Sequence, residues 1–277
     1  MKLIADSGST KTSWITVEGS HIGKVVETSG INPVRDKEEV ISKVIAQVQE
    51  GLQGSISQVY FYGAGCIPPY STTVKHVLQE YFPQAKIQVE SDMMGAAIAL
   101  CGHQEGIACI LGTGANSCLF DGQKIVRQTP ALGYILGDEG SGACLGKRLV
   151  GDVFKRQLPP SLLQAFDDEL GLTQTEVIDR VYRQPQANLF LSSLVPFLAR
   201  HIDHEAIQQL VTDEFRRFIR RNILNYQRPD LPVCFVGGIV NSFAPQLKVA
   251  IEQEGLKMGK AIQKPIQAMA SYHAQIN

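Results

Sequence analysis

The sequence contains no run of 18 apolar residues, so no stretch of it reads as a membrane-spanning helix. Asp6 interrupts the first apolar stretch after three residues, which argues against a secretory leader. No basic run occurs, and 26 Lys and Arg against 27 Asp and Glu leave a formal net charge of -1, without the positive footprint of a nucleic-acid partner. The six cysteines, at 66, 101, 109, 118, 144 and 234, form no C-x-x-C pair; they read as small buried hydrophobes in a reducing compartment, and a cytoplasmic location is expected. Walker A spacing, a helix-opening G-x-G-x-x-G, the G-x-S-x-G elbow and H-E-x-x-H are all missing. His201-Ile-Asp-His204-Glu205 lacks zinc-site spacing and reads as a solvated helix face.

What is present is ample core material: 44% hydrophobic and 19% charged residues over 277 positions, enough for two compact domains or one large one. The chain opens as a hairpin, with Lys2 to Ala5, the turn Asp6-Ser-Gly-Ser-Thr10, and a β-forming run from Thr12 to Val17. Residues 36–52 carry Ile41, Val44, Ile45, Val48 and Leu52 at helical spacing, with Asp36 as the expected N-cap and Glu39 three residues on. A strand from Gln58 to Tyr62 ends at Gly63-Ala-Gly65; a helix is expected over 72–81, a strand over 86–90, and a further helix opens near Asp92.

The pattern then restarts. Ile107 to Leu111 reads as a buried strand, Gly112-Thr-Gly114 as a turn and Ser117 to Phe120 as a strand, while Val233 to Val236 ends at Gly237-Gly238 as the earlier strand ends at Gly63. Such long-period duplication predicts an α/β protein of two homologous domains, 1–104 and 105–277, with a helical insert at about 143–226 in the second. The Phe215, Phe218, Ile219 and Ile223 stripe reads as helix core.

Five features carry chemistry. In D-S-G-S-T-K-T, Gly8 admits close backbone approach to a phosphate, and the hydroxyls of Ser9, Thr10 and Thr12 are potential donors; Asp6, at the end of a buried strand, suits a Mg²⁺ ion held through water. Gly112-Thr113-Gly114-Ala-Asn-Ser117 repeats the same chemistry in the other half, and two such turns suit a polyphosphate better than an ordinary hairpin does. Asp92, where a strand hands over to a helix, reads as an N-cap or as a general base for a substrate hydroxyl, and the residues alone favour the cap. Asn32 in G-I-N-P can offer a donor and an acceptor to sugar hydroxyls, and Gly133-Tyr-Ile-Leu-Gly137-Asp138-Glu139-Gly140-Ser-Gly142 reads as a ligand loop.

Taken in order, D-S-G-S-T-K-T, G-I-N-P, Y-G-A-G, S-D-M-M-G-A-A, L-G-T-G-A-N-S, L-G-D-E-G-S-G and V-G-G-I-V-N-S resemble the BadF/BadG/BcrA/BcrD-type ATPases, and among them the N-acetylglucosamine kinase-like branch of the actin/sugar-kinase/Hsp70 superfamily. The resemblance spans essentially the whole chain. It implies two duplicated ribonuclease-H-like domains of the actin-like ATPase fold, with ATP, Mg²⁺ and an amino sugar in the cleft between them. By that likeness Gly8, Ser9, Thr10, Lys11, Thr12, Gly112, Thr113 and Gly114 hold phosphates, Asp6 lies near Mg²⁺, and Gly237, Gly238 and Ser242 belong to the adenosine motif. Asn32, Asp92, Ala115, Asn116, Gly133 and Asp138 match positions around the sugar, with Asp92 as catalytic base, which reverses the preference for a simple cap. A homodimer is common among such relatives. The likeness also includes ATP-hydrolysing activators that bridge subunits through clustered cysteines, an arrangement the scattered thiols here do not match. Two departures stand out: Ala131-Leu132-Gly133 replaces a G-W-G segment, and Pro265-Ile-Gln267-Ala268 replaces P-x-x-G-A.

Overall fold

The computed structural model describes residues 1–8 and 10–276. It divides into two compact units: the first comprises Met1–Glu105, Phe120–Ile125 and the segment from Lys264 onward, the second Gly106–Leu119 and Val126–Gln263.

The first unit is built on the strands β1 (Lys2–Ser7), β2 (Lys11–Glu18), β3 (His21–Ile22), β4 (Val26–Ser29), β5 (Gln58–Gly63) and β6 (Lys86–Ser91). Their order is β3-β2-β1-β5-β6, with β4 also paired to β2; β1 and β2 are antiparallel, whereas β1, β5 and β6 are parallel. Leu3, Ile4 and Ala5 of the central strand are fully buried, as expected of a strand covered on both faces. Helices Glu38–Gly51 and Ser71–Tyr81 send Ile41, Ile45, Val74, Val77 and Leu78 into one core with Trp14 and Phe61, each such side chain contributing about 1.5–3 kcal/mol. The first of these helices begins later than its expected cap: Asp36 Oδ2 instead accepts from Asn32 N at 2.8 Å, and Lys37 takes the cap position with no side-chain bond.

Helix Asp92–Cys101 is apolar around most of its circumference and buries Met93 and every residue from Gly95 to Leu100, so it is an interior helix. A Cβ at Gly95 would stand 2.8 Å from Tyr62 Cβ and 3.3 Å from Met269 Cε, which explains the small residue there. Met269 belongs to helix Ile266–Ala274, which lies in the first unit although the sequence reading assigns it to the second half. Its buried Met269, Ala270 and His273 pack on that unit, where His273 Nε2 lies 2.9 Å from the Tyr62 hydroxyl and Lys2 Nζ donates to His273 O at 2.8 Å.

In the second unit β7 (Glu105–Leu111), β8 (Ala115–Asp121), β9 (Ile125–Gln128), β10 (Pro232–Val236) and β11 (Lys257–Ile262) follow the order β11-β10-β7-β8-β9, with β7, β10 and β11 parallel. Helical segments fill the chain from Gly142 to Tyr226, and a π-helical turn, Ile219–Ile223, continues helix Glu205–Phe218. Phe215, Phe218, Ile219 and Ile223 are all buried in this unit's core. Helices Gly142–Phe154 and Ala187–Ser192 pack so closely that a Cβ at Gly146 would lie 1.9 Å from Leu191 O. Among the described residues no helix is long and apolar enough to cross a membrane.

Candidate functional site

In the first unit, parallel β1, β5 and β6 bring three strand ends level: Asp6 pairs in register with Tyr62, Ser7 with Gly63, and Gly63 with Ser91. The turn after Ser7 is held from within. Ser7 Oγ donates to Ile31 O at 3.0 Å and accepts from Ile31 N at 3.0 Å, while the Thr12 hydroxyl lies 2.7 Å away and donates to it. Both hydroxyls are fully buried, so Thr12, expected as a phosphate donor, instead braces the turn through its side chain. Gly8 N closes the turn on Lys11 O at 3.0 Å, and Thr10 O accepts from Gly30 N at 3.0 Å. Thr10 keeps an exposed side chain, and Ser9 lies outside the described residues. Lys11 Nζ is 3.0 Å from Glu27 Oε1, an oxygen it shares with Lys264 Nζ, also at 3.0 Å.

Asp92 opens the interior helix, but it is not the cap. Ser91 is, its hydroxyl accepting from Met94 N at 3.3 Å. Asp92 Oδ1 accepts from the neighbouring Met93 N at 2.8 Å. Its carboxyl is held above the usual carboxylate range by burial, against the lowering effect of that backbone bond. Asp6 is pushed up to about 7, by burial first and then by the charge of Asp92, with Lys11 opposing. Two buried carboxyls, one of which raises the proton affinity of the other, are an oxygen-only donor set that a hard divalent cation would relieve, and Mg²⁺, which keeps most of its waters, needs no larger cage. Asn32 is locked into its own loop: Oδ1 accepts from Val34 N at 3.1 Å, and a Cβ at Gly65 would come within 2.3 Å of that oxygen. The glycine after β5 therefore makes room for Asn32, which joins the G-I-N-P and Y-G-A-G motifs into one structure.

The second unit gathers its glycines around the turn between β7 and β8. Gly112 N donates to Gly114 O at 2.9 Å, while Gly112 O and Thr113 O accept from Gly142 N at 2.8 Å and Ala143 N at 3.1 Å. The turn is thus fastened to the first amides of helix Gly142–Phe154, whose N-cap is Ser141. Gly237, at φ 133°, lies against the same place: a Cβ there would sit 2.1 Å from Leu111 O and 3.4 Å from Gly112 N. Gly238 begins the short helix Gly238–Ser242, where Ser242 Oγ donates back to Gly238 O at 3.2 Å.

Asp138 adopts a left-handed φ of 57°, and its carboxylate accepts from the amide of Ala115. A Cβ at Gly114 would meet Asp138 Oδ2 at 3.0 Å, so the turn at Gly112–Gly114 and the Gly133–Gly142 loop lie against each other. Burial raises the Asp138 carboxyl, and the Ala115 amide pulls in the other direction. Asn116 Oδ1 accepts from Ser117 N at 2.9 Å and from Gln128 Nε2 at 3.0 Å. Gly133, at φ 70°, opens the one-turn helix Gly133–Leu136. Beside these residues lies a cavity of about 340 Å³, walled among others by Thr129, Leu132, Leu136, Asp138, Arg221 and Asn222. Ser7, Thr129, Arg221 and Asn222 are absent from the sequence-based site; the last two reach the cavity from the π-helical turn, which leaves no mark in the spacing of the charged stretch 213–222.

No family model matches the chain, and no curated protein does. Solved structures do. Over 98% of both chains it is similar, at 17% identity and a TM-score of 0.75, to a candidate N-acetylglucosamine kinase of Chromobacterium violaceum. A ROK family glucokinase of Streptomyces griseus, solved with glucose and AMPPNP, matches over 99% of this chain and 98% of its own at 13% identity and a TM-score of 0.57. These likenesses define the architecture as the two-domain α/β fold of actin-like ATPases and sugar kinases. A third structure, a candidate N-acetylglucosamine kinase of Porphyromonas gingivalis, is 44% identical over 100% of this chain and 99% of its own, with a TM-score of 0.93. The chain belongs to that N-acetylglucosamine kinase-like family.

Proposed function

We propose that the protein is an ATP-dependent kinase that phosphorylates the 6-hydroxyl of N-acetylglucosamine or a closely related amino sugar. The observation that carries this reading is Asp92. Ser91 relieves it of capping, its carboxyl meets no basic partner among the described residues, and burial raises its proton affinity, all of which suit a general base. The full-length similarity to the Porphyromonas protein supports an amino sugar as the substrate class.

In this reading Asp92 accepts the proton of the 6-hydroxyl as its oxygen attacks the γ-phosphorus of ATP, and the bond to the bridging oxygen of ADP breaks. Asp6 would hold the Mg²⁺ that accompanies ATP; when bound, such an ion neutralises phosphate charge. The turn amides at 8–12 and 112–114 position the phosphates, and Gly237, Gly238 and Ser242 form the wall for the adenosine. Phosphoryl transfer depends mainly on positioning and charge stabilisation, which backbone amides and one base can supply. Asn32, Ala115, Asn116, Gly133 and Asp138 hold the sugar, and the cytoplasm is where the enzyme meets both substrates. An assay of ADP release over N-acetylglucosamine, glucosamine, N-acetylmuramic acid and N-acetylmannosamine, with glucose as control, tests the reading. Turnover with at least one amino sugar is expected; turnover with none would refute it.

A further inference from the structure

The Gly133–Gly142 loop and the start of β8 are joined twice. The direct link is the Asp138 carboxylate, which accepts from the Ala115 amide. The second link is a chain of hydrogen bonds that takes a longer way round. Glu139, next to Asp138 and 6% exposed, is bonded through Oε1 to Arg221 Nε and through Oε2 to Asn222 Nδ2 at 3.3 Å. The backbone oxygen of Asn222 accepts from Thr129 Oγ1 at 2.8 Å, and Thr129 N donates to the Tyr226 hydroxyl at 3.0 Å. That hydroxyl lies 2.8 Å from Ser117 Oγ. Ser117 N in turn donates to Asn116 Oδ1 at 2.9 Å. The chain therefore starts beside Asp138 and finishes at Asn116, two residues that the family resemblance places around the sugar.

The backbone explains why such a brace is needed. Asp138 and Gly140 are both left-handed, at φ 57° and 73°, and a residue other than glycine keeps that conformation only where its surroundings impose it. Asn222 and Tyr226 belong to the irregular end of helix Glu205–Phe218, the π-helical turn Ile219–Ile223 and the 3-10 turn Leu224–Tyr226. Asn222 Nδ2 also donates to Phe218 O at 3.2 Å, so the same amide serves the distorted turn and the loop. Ser117 and Tyr226 are buried at 1% and 3% exposure, where bonded polar groups reinforce one another and a lost partner is not replaced by bulk water. Thr129 and Tyr226 lie outside every motif of the sequence.

We infer that Glu139, Asn222, Thr129 and Tyr226 form one polar frame, in which Thr129 and Tyr226 are positioning residues that set Asp138 against Asn116 and so set the grip on the sugar. The sugar in this statement rests on the kinase reading; the coupling of the two segments does not.

Hydrogen exchange and steady-state kinetics on three variants of the full chain test the inference. Tyr226→Phe keeps the ring, and with it the Arg127 guanidinium 6.0 Å from the ring centre, but strips the bonds to Ser117 and Thr129. Exchange over 137–142 should quicken about 10-fold, although the lost hydroxyl is bonded to Ser117 and Thr129 rather than to that loop. Thr129→Val, which cuts the middle of the chain, should quicken both 113–118 and 137–142, whereas Thr129→Ser keeps the hydroxyl and should match the wild type. In Tyr226→Phe and Thr129→Val the KM for the amino sugar should rise about 10-fold, with kcat and the KM for ATP within about 2-fold of wild type. Quickened exchange confined to the segment next to each substitution overturns the inference. So does a KM for ATP that rises as far as that for the sugar, the mark of general loosening. Absence of turnover with every amino sugar would strike the kinase reading, and the exchange comparison would still decide whether the frame exists.

Discussion

The turn at Gly8 in the first unit is surrounded by charge: Asp92 raises the proton affinity of Asp6, and Lys11 shares Glu27 with Lys264. Its equivalent at Gly112 in the second unit is surrounded by backbone, with carbonyls fastened to the amides of Gly142 and Ala143 and with Gly237 too close to Leu111 for any side chain. One half thus presents ionisable side chains on a braced strand end, and the other presents main chain at short range. Similar sheets have been put to different chemical uses. Charge can be moved from place to place by substitution, whereas close backbone approach depends on the missing Cβ, so the two halves should fail in different ways.

The sharpest test of this contrast is Asp92→Asn. If the first unit supplies the base, kcat falls by about 10²–10⁴-fold while ATP affinity is retained, as steady-state kinetics and nucleotide titration would show. An unchanged kcat would remove Asp92 from that role and with it the chemical half of the comparison.

Next come two glycines of the second unit, which should break in opposite senses. Gly237→Ala forces a Cβ to 2.1 Å from Leu111 O at a φ of 133°, and should cost about 2–4 kcal/mol of stability, read from the midpoint of urea unfolding. A Cβ at Gly112 meets nothing closer than 4.0 Å, so Gly112→Ala should leave the midpoint unchanged yet weaken an ATP analogue about 10-fold by blocking its approach to the turn. Equal binding in both proteins would mean that Gly112 serves the turn alone.

The smallest effect concerns Asp6. The folded chain keeps its proton up to about 7, whereas the ordinary value is 3.8. Between those values the folded state binds more protons than the unfolded one, so stability falls as pH rises through that window and the loss is complete above it. Asp6→Asn should therefore stabilise the metal-free protein by about 1–3 kcal/mol at pH 8 and have no such effect at pH 3.5, by urea unfolding at each pH. A gain of equal size at both pH values would mean that charge is not what distinguishes the first unit.

The glycine turns could be read in the chain because their signals are local. Gly8, Gly112 and Gly237 each follow a short run of strand formers, and a glycine after such a run marks a turn wherever the strand lies. Helix starts were less legible by small amounts with large consequences. Asp36 and Ser91 both stand before apolar runs, but Asp36 is drawn to Asn32 N, and Ser91 takes the cap that Asp92 was equally able to fill. The role of Thr12 was illegible for a similar reason: in sequence its hydroxyl is one of several in a polar turn, and only the packing of Ile31 onto Ser7 turns it inward.

The sequence by itself determined the duplicated α/β architecture, the positions of the glycine turns and the family resemblance, since periodicity and backbone permissiveness act over a few residues. Only the tertiary structure decided that Asp6 and Asp92 share one environment, that the last helix closes the first unit, and that Arg221 and Asn222 face a cavity beside Asp138. Those facts depend on burial and on distances between segments far apart in the chain, and no local pattern encodes either.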